Sequence, residues 1–167
     1  MLILVRHAHA GDKRLWPFGD VDRPLSARGH QQAEGLAQLL RELPVTSLRT
    51  SPYRRCRQTL VPLSAALGTE PEDEPLLAPE SDAAALDALL AEPAAQGTLF
   101  CTHGEVLSAL LERWRDSGAV ALPDEPSTTA KGASWIVEET RGTRAAHYLR
   151  PLRIVDVRDE DPATLAR

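Results

Sequence analysis

Short apolar runs alternate with amphipathic stretches along this chain, and this alternation constrains the fold more than any other feature. Short apolar runs predict strands at 1–5 and 98–102, and the segment 45–51 between two helices is predicted as another strand. Apolar residues at helical spacing predict helices at 25–43, 52–67, 81–92 and 105–114. Strands and helices in this order form a mainly parallel sheet with helices on both faces. The sequence therefore predicts an α/β fold, a three-layer α/β/α sandwich with a mainly parallel central sheet.

Turn and cap residues mark where several elements begin and end. Ser26 is the expected N-cap of the first helix and Pro44 its stop. After a loop rich in Pro, Asp and Thr, the segments 134–140 and 143–149 flank Arg141-Gly142. Two β-type segments around such a dipeptide are typical of a hairpin.

Length and composition bound the class of protein. With 167 residues, of which 43% are hydrophobic and 26% charged, the chain can bury a full core. No linker or internal repeat divides it, so we expect one domain at 1–155 and a surface tail at 156–167. The chain has two cysteines, and its first apolar run ends at Arg6. These features favour a cytoplasmic location without a disulfide framework, a signal peptide or a membrane span.

Charge is distributed unevenly along the chain. The formal net charge is −5, which disfavours nucleic acid or an anionic membrane as the main partner. Residues 1–58 nevertheless hold ten Lys or Arg against five Asp or Glu, whereas residues 59–167 hold nine against nineteen. An anion-binding site in the first part of the chain is therefore compatible with an acidic protein.

Residues suited to phosphate chemistry follow each predicted parallel strand. Arg6-His7 follows the first strand, an Arg-rich stretch at 51–59 follows the second, and His103-Gly104 follows the third. These strand ends meet at one edge of the sheet, where α/β folds bind ligands. A guanidinium holds phosphoryl oxygens with a bidentate fork, and a neutral imidazole can attack phosphorus. The sequence predicts a phosphate site at this edge, with Gly104 allowing a sharp turn into the next helix.

Four motifs in this order resemble those of the histidine phosphatase superfamily, also called the phosphoglycerate mutase-like or RHG family. The motifs are Leu4-Val5-Arg6-His7-Ala8, the stretch 24–33, the stretch 51–59 and Thr102-His103-Gly104. The resemblance covers nearly the whole chain. Within the family, the chain looks like the small bacterial phosphohistidine phosphatases and, more closely, like the phosphatase half of two-domain proteins that carry an N-terminal Nudix hydrolase.

The resemblance implies roles for the residues at the strand ends. His7 would be the nucleophile that takes the phosphoryl group as a phosphohistidine. Arg6, Arg55 and a protonated His103 would surround the phosphoryl oxygens and stabilise the anionic transition state. Because these groups supply the positive charge, the resemblance implies neither a metal nor another cofactor.

Two further residues receive roles from the same resemblance. Glu80 stands where many family members keep a Glu before a helix, and it would be the general acid and then the general base for water. Its competitors for this role are Asp12, His9 and Glu105, which lie within a few residues of the motifs. Lys13 stands near the place of a family Asn that touches phosphate, and Gly104 belongs to the second His motif.

The chain departs from the family pattern at two positions, and one loop is distinctive. Ala8 replaces the usual Gly of the first motif, and Glu105 stands where many members have a small residue. The loop at 12–23 would lie beside the site, and we interpret its Trp16 and Phe18 as pinning the loop to the domain. Cys56 and Cys101 are interpreted as buried packing residues.

The sequence favours a metal-independent phosphatase that works through a His7 phosphoenzyme. Its substrate would be a phosphorylated small molecule, such as a metabolite or nucleotide, or a phosphohistidine protein, and the protein would be a monomer or homodimer. A phosphoglycerate-type mutase is disfavoured because the chain lacks room for the longer insertions of mutases. A non-catalytic phosphate-binding or regulatory module is the alternative from another class, and it is disfavoured because all four core residues are present.

Overall fold

The computed structural model of the chain describes residues 1–126 and 128–152. Its strands and helices are β1 Leu2–Arg6, α1 Ala27–Leu40, β2 Ser47–Thr50, α2 Arg54–Leu67, β3 Pro71–Asp73, α3 Ala83–Ala91, β4 Thr98–Thr102, α4 Gly104–Ser117, β5 Ser134–Thr140 and β6 Thr143–Leu149. The surface tail predicted at 156–167 and the predicted domain boundary at 155 lie outside the described residues.

The six strands form one sheet in the order β3-β2-β4-β1-β5-β6. β3, β2, β4 and β1 run parallel to one another, and β5 and β6 form a hairpin whose strand β5 pairs antiparallel with β1. The predicted mainly parallel sheet is therefore confirmed. The order also places β1 and β4 in the centre, where both faces are covered and a continuous apolar run is favoured.

Alternate side chains of β1 enter two separate cores. Ile3 and Val5 pack with apolar residues of α1 and α2 on one face of the sheet. Leu2 and Leu4 pack with apolar residues of α3 and α4 on the other face. Because successive side chains of a strand point to opposite faces, one short run supports both layers. The predicted three-layer α/β/α sandwich is confirmed.

A side-chain cap and a close contact at a glycine fix the start of α1. Ser26 is the N-cap, as predicted, and its Oγ accepts a hydrogen bond from the Gly29 N–H at 3.1 Å. A Cβ at Gly29 would lie 2.0 Å from the His9 carbonyl oxygen, so only glycine lets the segment after β1 pack on this helix. α1 ends at Leu40, three residues earlier than predicted, and in the turn that follows the Leu43 N–H donates to the Leu40 carbonyl at 3.0 Å.

Several strand boundaries match their sequence predictions, and one strand was not predicted. β4, β5 and β6 have the expected bounds, and the hairpin turn uses positive φ at Arg141 (54°) and Gly142 (79°). β3 has only three residues, begins with Pro71 and is exposed or half-buried at the edge of the sheet. Because this edge strand is held by its pairing with β2 and not by burial, it needs no apolar run. The sequence pattern that predicts buried strands is therefore missing here. Among the described residues, no helix combines the length and apolar character needed to cross a membrane.

Candidate active site

The carboxyl ends of β1, β2 and β4 carry the predicted site residues to one edge of the sheet. Arg6 pairs with Thr102 in the parallel ladder of β1 and β4. The ladder continues past the strands, because the His7 backbone N–H donates to the Thr102 carbonyl at 2.9 Å. The structure brings four predicted residues together here: Arg6, His7, Arg55 and His103.

The His7 imidazole is buried and has a defined tautomer. Its Nδ1 lies 2.7 Å from the Ala8 carbonyl oxygen, and this contact requires Nδ1 to carry the proton and donate it. Nε2 therefore holds the free electron pair that a nucleophile needs. Burial, chiefly, lowers the pKa of His7 to about 3, and the positive charges of Arg55 and Arg6 act in the same direction. His7 is neutral at pH 7.

The Arg55 guanidinium lies against the free nitrogen of His7. Arg55 Nε donates to His7 Nε2 at 3.3 Å, and Nη2 lies 3.2 Å from His103 Nδ1. The side chain is almost fully buried on the first turn of α2 and packs over the Tyr53 ring at 4.6 Å. A delocalised cation thus touches both histidines, at the place where a phosphoryl group bonded to His7 Nε2 would develop negative charge.

His103 is fully buried and neutral. Since Arg55 can only donate, His103 Nδ1 is an acceptor, so Nε2 carries the proton and donates to Ser51 Oγ at 2.9 Å. Burial lowers the pKa of His103 to about 2, with further contributions from His7 and Arg55. The expected protonated His103 is therefore wrong for the ligand-free protein, because a buried site that already holds a guanidinium disfavours a second positive charge. Cys56 lies beside this ring, and it is buried and free as predicted, like Cys101.

Arg6 packs tightly against the start of α4. Its Nη1 donates to the Thr129 carbonyl at 2.6 Å, and its Nε is buried without a partner among the described residues. A Cβ at Gly104 would lie 2.6–2.8 Å from three atoms of this guanidinium. Gly104 is the first residue of α4 and is not among the glycines with positive φ. The glycine thus makes room for Arg6, while the predicted sharp turn from β4 into α4, between Thr102 and Gly104, is made without positive φ at this glycine.

Asp20 is a site residue that sequence reasoning did not single out. Arg55 donates from Nη1 to the Asp20 carbonyl at 2.7 Å and from Nη2 to Oδ2 at 3.1 Å. Buried Arg23 donates to Oδ1 at 2.8 Å. Burial opposes ionisation, but the hydrogen bond from Arg23 and the charges of Arg55 and Lys13 outweigh it and lower the pKa of Asp20. An ionised carboxylate therefore holds Arg55 in place, and the three-residue spacing of Asp20 and Arg23 is the sequence signal for it.

The loop that carries Asp20 is held by its own contacts. Trp16 Nε1 donates to the Gly19 carbonyl at 3.0 Å. Phe18 is 70% exposed and touches the edge of Trp16, with ring centroids 5.2 Å apart. The interpretation that both aromatics pin the loop to the domain is wrong for Phe18, because the Asp20 ion pairs bind the loop to the site instead.

Glu80 does not line the cavity at the strand ends. Its side chain is exposed, and Oε1 accepts a hydrogen bond from the Tyr53 hydroxyl at 2.9 Å. The Tyr53 ring in turn meets the edge of His103, with centroids 4.8 Å apart. Glu80 is thus one aromatic ring away from the buried histidine, at the outer rim of the site.

A cavity of about 480 Å³ lies over the His7 and Arg55 contacts. Its walls include the predicted Lys13 and all three competitors for the proton-donor role, together with residues of the Asp20 loop. Its lining residues are Arg6, His7, His9, Gly11, Asp12, Lys13, Arg14, Asp20, Arg23, Arg55, Glu105 and Lys131. Lys131 is a lining residue that sequence reasoning missed, since it stands in a polar loop far from every motif. A larger cavity of about 580 Å³ at the β3 edge holds none of the predicted site residues.

The site differs from a metal centre in its side chains. Among residues 1–126 and 128–152, no cluster of three or more His, Cys, Asp or Glu side chains is placed to hold a metal ion. Guanidinium and ammonium groups dominate the cavity wall instead. Such an arrangement binds oxyanions through charge-assisted hydrogen bonds.

Comparison with known proteins agrees with the geometry. Residues 2–79 match the model of the histidine phosphatase superfamily, branch 1. Over 158 residues, the chain is 35% identical to an 8-oxo-(d)GTP phosphatase of Mycolicibacterium smegmatis, with 90% of this chain and 48% of that protein covered. The chain thus spans about half the length of this curated relative.

Solved structures share the fold. The protein histidine phosphatase SixA, complexed with tungstate, has a TM-score of 0.71 at 22% identity, with 90% of this chain and 96% of that chain covered. A mycobacterial glucosyl-3-phosphoglycerate phosphatase has a TM-score of 0.61 at 14% identity, with coverages of 88% and 96%. The motifs at the strand ends, the match of residues 2–79 to the family model and the shared sheet agree with one another: the chain is similar to the histidine phosphatase superfamily.

Proposed function

We propose that the protein is a phosphatase that transfers a phosphoryl group to His7 and then releases it as inorganic phosphate. The match of residues 2–79 to the family model and the named relatives support phosphatase activity as the class of reaction. The single observation that carries the mechanism is the neutral His7 with its Nε2 electron pair held against Arg55. Arg6 completes the proposed phosphoryl pocket, and His103, whose ring nitrogens face Arg55 and Ser51, supports Arg55 from behind.

In the proposed first step, His7 Nε2 attacks phosphorus while the bond from phosphorus to the leaving oxygen breaks. Arg55 shifts its hydrogen bond from His7 to the phosphoryl oxygens, which accept a guanidinium more strongly than a neutral imidazole does. Arg6 adds its partnerless buried Nε. Two guanidinium groups placed in advance stabilise the charge on the three equatorial oxygens.

In the proposed second step, water attacks the phosphohistidine and the bond from phosphorus to Nε2 breaks. The electron pair returns to Nε2, and the Ala8 carbonyl keeps the proton on Nδ1 throughout. His7 is thereby restored to its initial tautomer. The net reaction consumes one water and releases the alcohol or amine and inorganic phosphate.

Glu80 is the proposed proton donor to the leaving oxygen and the proposed base for water. In an in-line displacement, the leaving oxygen lies opposite His7, outside the pocket for the equatorial oxygens. Glu80 does not line the cavity, so in this proposal it reaches the leaving oxygen from the rim, where Tyr53 holds it. Asp20 is a poorer donor because its pKa is lowered by its cationic partners. We assign Asp20 instead to positioning Arg55.

The substrate is proposed to be either a phosphohistidine protein or a small phosphorylated molecule, a nucleotide among them. The SixA structures support the first class by fold, and the 8-oxo-(d)GTP phosphatase supports a nucleotide by sequence. A non-catalytic module is disfavoured because His7, Arg6, Arg55 and His103 are all present and meet at one edge of the sheet.

The purified protein is expected to release phosphate from p-nitrophenyl phosphate, and EDTA is expected to leave the rate unchanged. The reason is that arginine side chains supply the positive charge that a metal supplies elsewhere. Initial rates with and without EDTA measure this, in parallel with nucleoside di- and triphosphates, sugar phosphates and a phosphohistidine protein. No phosphate release from any of these substrates would contradict the proposal, and a rate abolished by EDTA would contradict its metal independence.

Replacing Glu80 with glutamine is expected to slow hydrolysis most for esters whose leaving group must be protonated. Glu80→Gln should slow phenyl phosphate by about 10²-fold, whereas p-nitrophenyl phosphate, whose leaving group needs no proton, should be slowed far less. Steady-state kcat values for both esters measure the difference.

The matched comparison is Asp20→Asn. If Asp20 positions Arg55, this change weakens phosphoryl stabilisation and slows both esters by the same factor. Equal losses for Glu80→Gln on both esters would show that Glu80 only supports Tyr53. A leaving-group dependence confined to Asp20→Asn would move the proton-donor role to Asp20.

A further inference from the structure

Lys131 is fixed beside the nucleophile although no motif contains it. The backbone N–H of Gly132 donates to the Arg6 carbonyl at 3.1 Å and to the His7 carbonyl at 3.3 Å. Gly132 has a φ of +75°, a conformation that favours glycine. These bonds hold the Lys131-Gly132 turn on the end of β1, and the Lys131 side chain lines the site cavity.

Lys131 differs from most other cations in the cavity wall because it has no anionic partner among residues 1–126 and 128–152. Arg14 pairs with Asp12 at 2.6 Å, and Asp20 pairs with Lys13, Arg23 and Arg55 at 3.6, 2.8 and 3.1 Å. Within the described part of the chain, no carboxylate lies within 4.0 Å of Lys131. An ammonium without a counter-charge in the wall of a cavity is available to an anionic ligand.

The charges around Lys131 make this arrangement unfavourable in the empty site. Burial lowers the pKa of Lys131, and the neighbouring positive charges of Arg6, Arg23, Arg28 and Arg55 lower it further. Charge repulsion of this kind is relieved when an anion binds among the cations. The phosphoryl group proposed at Arg6 and Arg55 would contact those two guanidinium groups, and Lys131 would still lack an anionic partner among the described residues.

His9 supplies a second donor on the same side of the cavity. Its Nδ1 accepts from the Gly11 N–H at 3.3 Å and lies 2.7 Å from Ser26 Oγ. With Nδ1 occupied as an acceptor, the proton of the neutral ring is on Nε2. His9 and Lys131 both line the cavity. Burial, chiefly, lowers the pKa of His9, and the positive charges of Lys131 and Arg28 lower it further.

We propose that Lys131 and His9, with Arg28 behind them, form a second anion-binding subsite beside the phosphoryl pocket. It would hold a further anionic group of the substrate, a phosphate or a carboxylate located near the phosphoryl group that is removed. The inference rests on the proposed function, because it places the first phosphoryl group at Arg6 and Arg55. It narrows the substrate class to phosphorylated compounds with two neighbouring anionic groups.

Binding of three non-hydrolysable probes tests the subsite. Methylphosphonate offers one anionic group, methylenediphosphonate offers a second phosphonate, and phosphonoacetate offers a carboxylate. Calorimetry on the full chain is expected to show that at least one two-anion probe binds about tenfold tighter than methylphosphonate, as an added charge-assisted contact predicts. Whichever two-anion probe binds more tightly than methylphosphonate shows whether the subsite prefers a phosphate or a carboxylate.

Variants of Lys131 test whether the tighter binding of two-anion probes depends on this side chain. Lys131→Met is expected to remove the preference for two-anion probes, and Lys131→Arg, which keeps the charge, is expected to retain it. The matched control is Arg115→Met, which removes one positive charge at the far end of α4, about 16 Å along the helix axis from Gly104. This control should retain the preference.

Two results would overturn the subsite. One is equal affinity of the unmodified protein for all three probes, and the other is a preference that survives in Lys131→Met. Turnover of p-nitrophenyl phosphate by the same preparation separates this inference from the proposed function. If the protein hydrolyses p-nitrophenyl phosphate but binds all three probes equally, only the subsite is contradicted. If it prefers a two-anion probe but does not hydrolyse p-nitrophenyl phosphate, only the phosphatase mechanism is contradicted.

Discussion

His7→Ala is expected to abolish turnover, a loss on the order of 10⁴-fold or more in kcat, because it removes the proposed acceptor of the phosphoryl group. The Nε2 electron pair faces Arg55, and the Ala8 carbonyl fixes the tautomer that exposes it. Rapid quenching with ³²P-labelled substrate should trap an acid-labile, base-stable phosphoprotein in the unmodified chain and none in the variant.

Control measurements separate the loss of a nucleophile from a loss of structure. His147→Ala removes a histidine whose side chain is 65% exposed on β6, and this variant should keep both turnover and labelling. The thermal midpoint of His7→Ala shows whether the fold persists. A His7→Ala protein that still turns over substrate and still forms the labelled species would eliminate His7 as the nucleophile.

Arg55→Lys is expected to lower kcat by about 10²- to 10³-fold, the usual loss when one transition-state donor is removed. The Arg55 guanidinium contacts His7, His103 and Asp20 through Nε and both terminal nitrogens. Lysine keeps the charge, but it is a single point donor and cannot reproduce that planar fork. Steady-state kinetics with p-nitrophenyl phosphate measure the loss.

Arg57→Lys is the matched control for this substitution. Arg57 is in the same turn of α2, but its guanidinium is half-exposed and pairs with Asp73 outside the cavity. Exposed ion pairs contribute little to stability, so this variant should keep its activity. A kcat for Arg55→Lys close to that of the unmodified protein would show that charge alone, and not the fork, is required at this position.

The strands that carry the site were predictable because the residues that define them are adjacent in the sequence. The apolar run of β1 has a polar residue directly after it, and the sheet then determines which strand ends meet. The bounds of β4, β5 and β6 match for the same reason, since strand runs and turn residues are adjacent in the sequence. β3 escaped prediction because its stability comes from a neighbouring strand and not from its own residues.

The details of the site depend on contacts between distant segments. Gly104 is required by the guanidinium of Arg6, which lies nearly one hundred positions earlier in the chain. Asp20 reaches Arg55 only because the loop after β1 folds over the start of α2. The charge state of His103 depends on burial and on Arg55, so the motif alone suggests the opposite state.

The amino-acid sequence by itself determined the layered α/β architecture and the residues at the three strand ends, because periodicity and motif order are written along the chain. Only the tertiary structure decided how those residues act on one another. It made His7 and His103 neutral, placed Asp20 on Arg55 and brought Lys131 beside β1. The physical reason is that protonation and ion pairing depend on burial and on distances between groups, which exist only once the chain has folded.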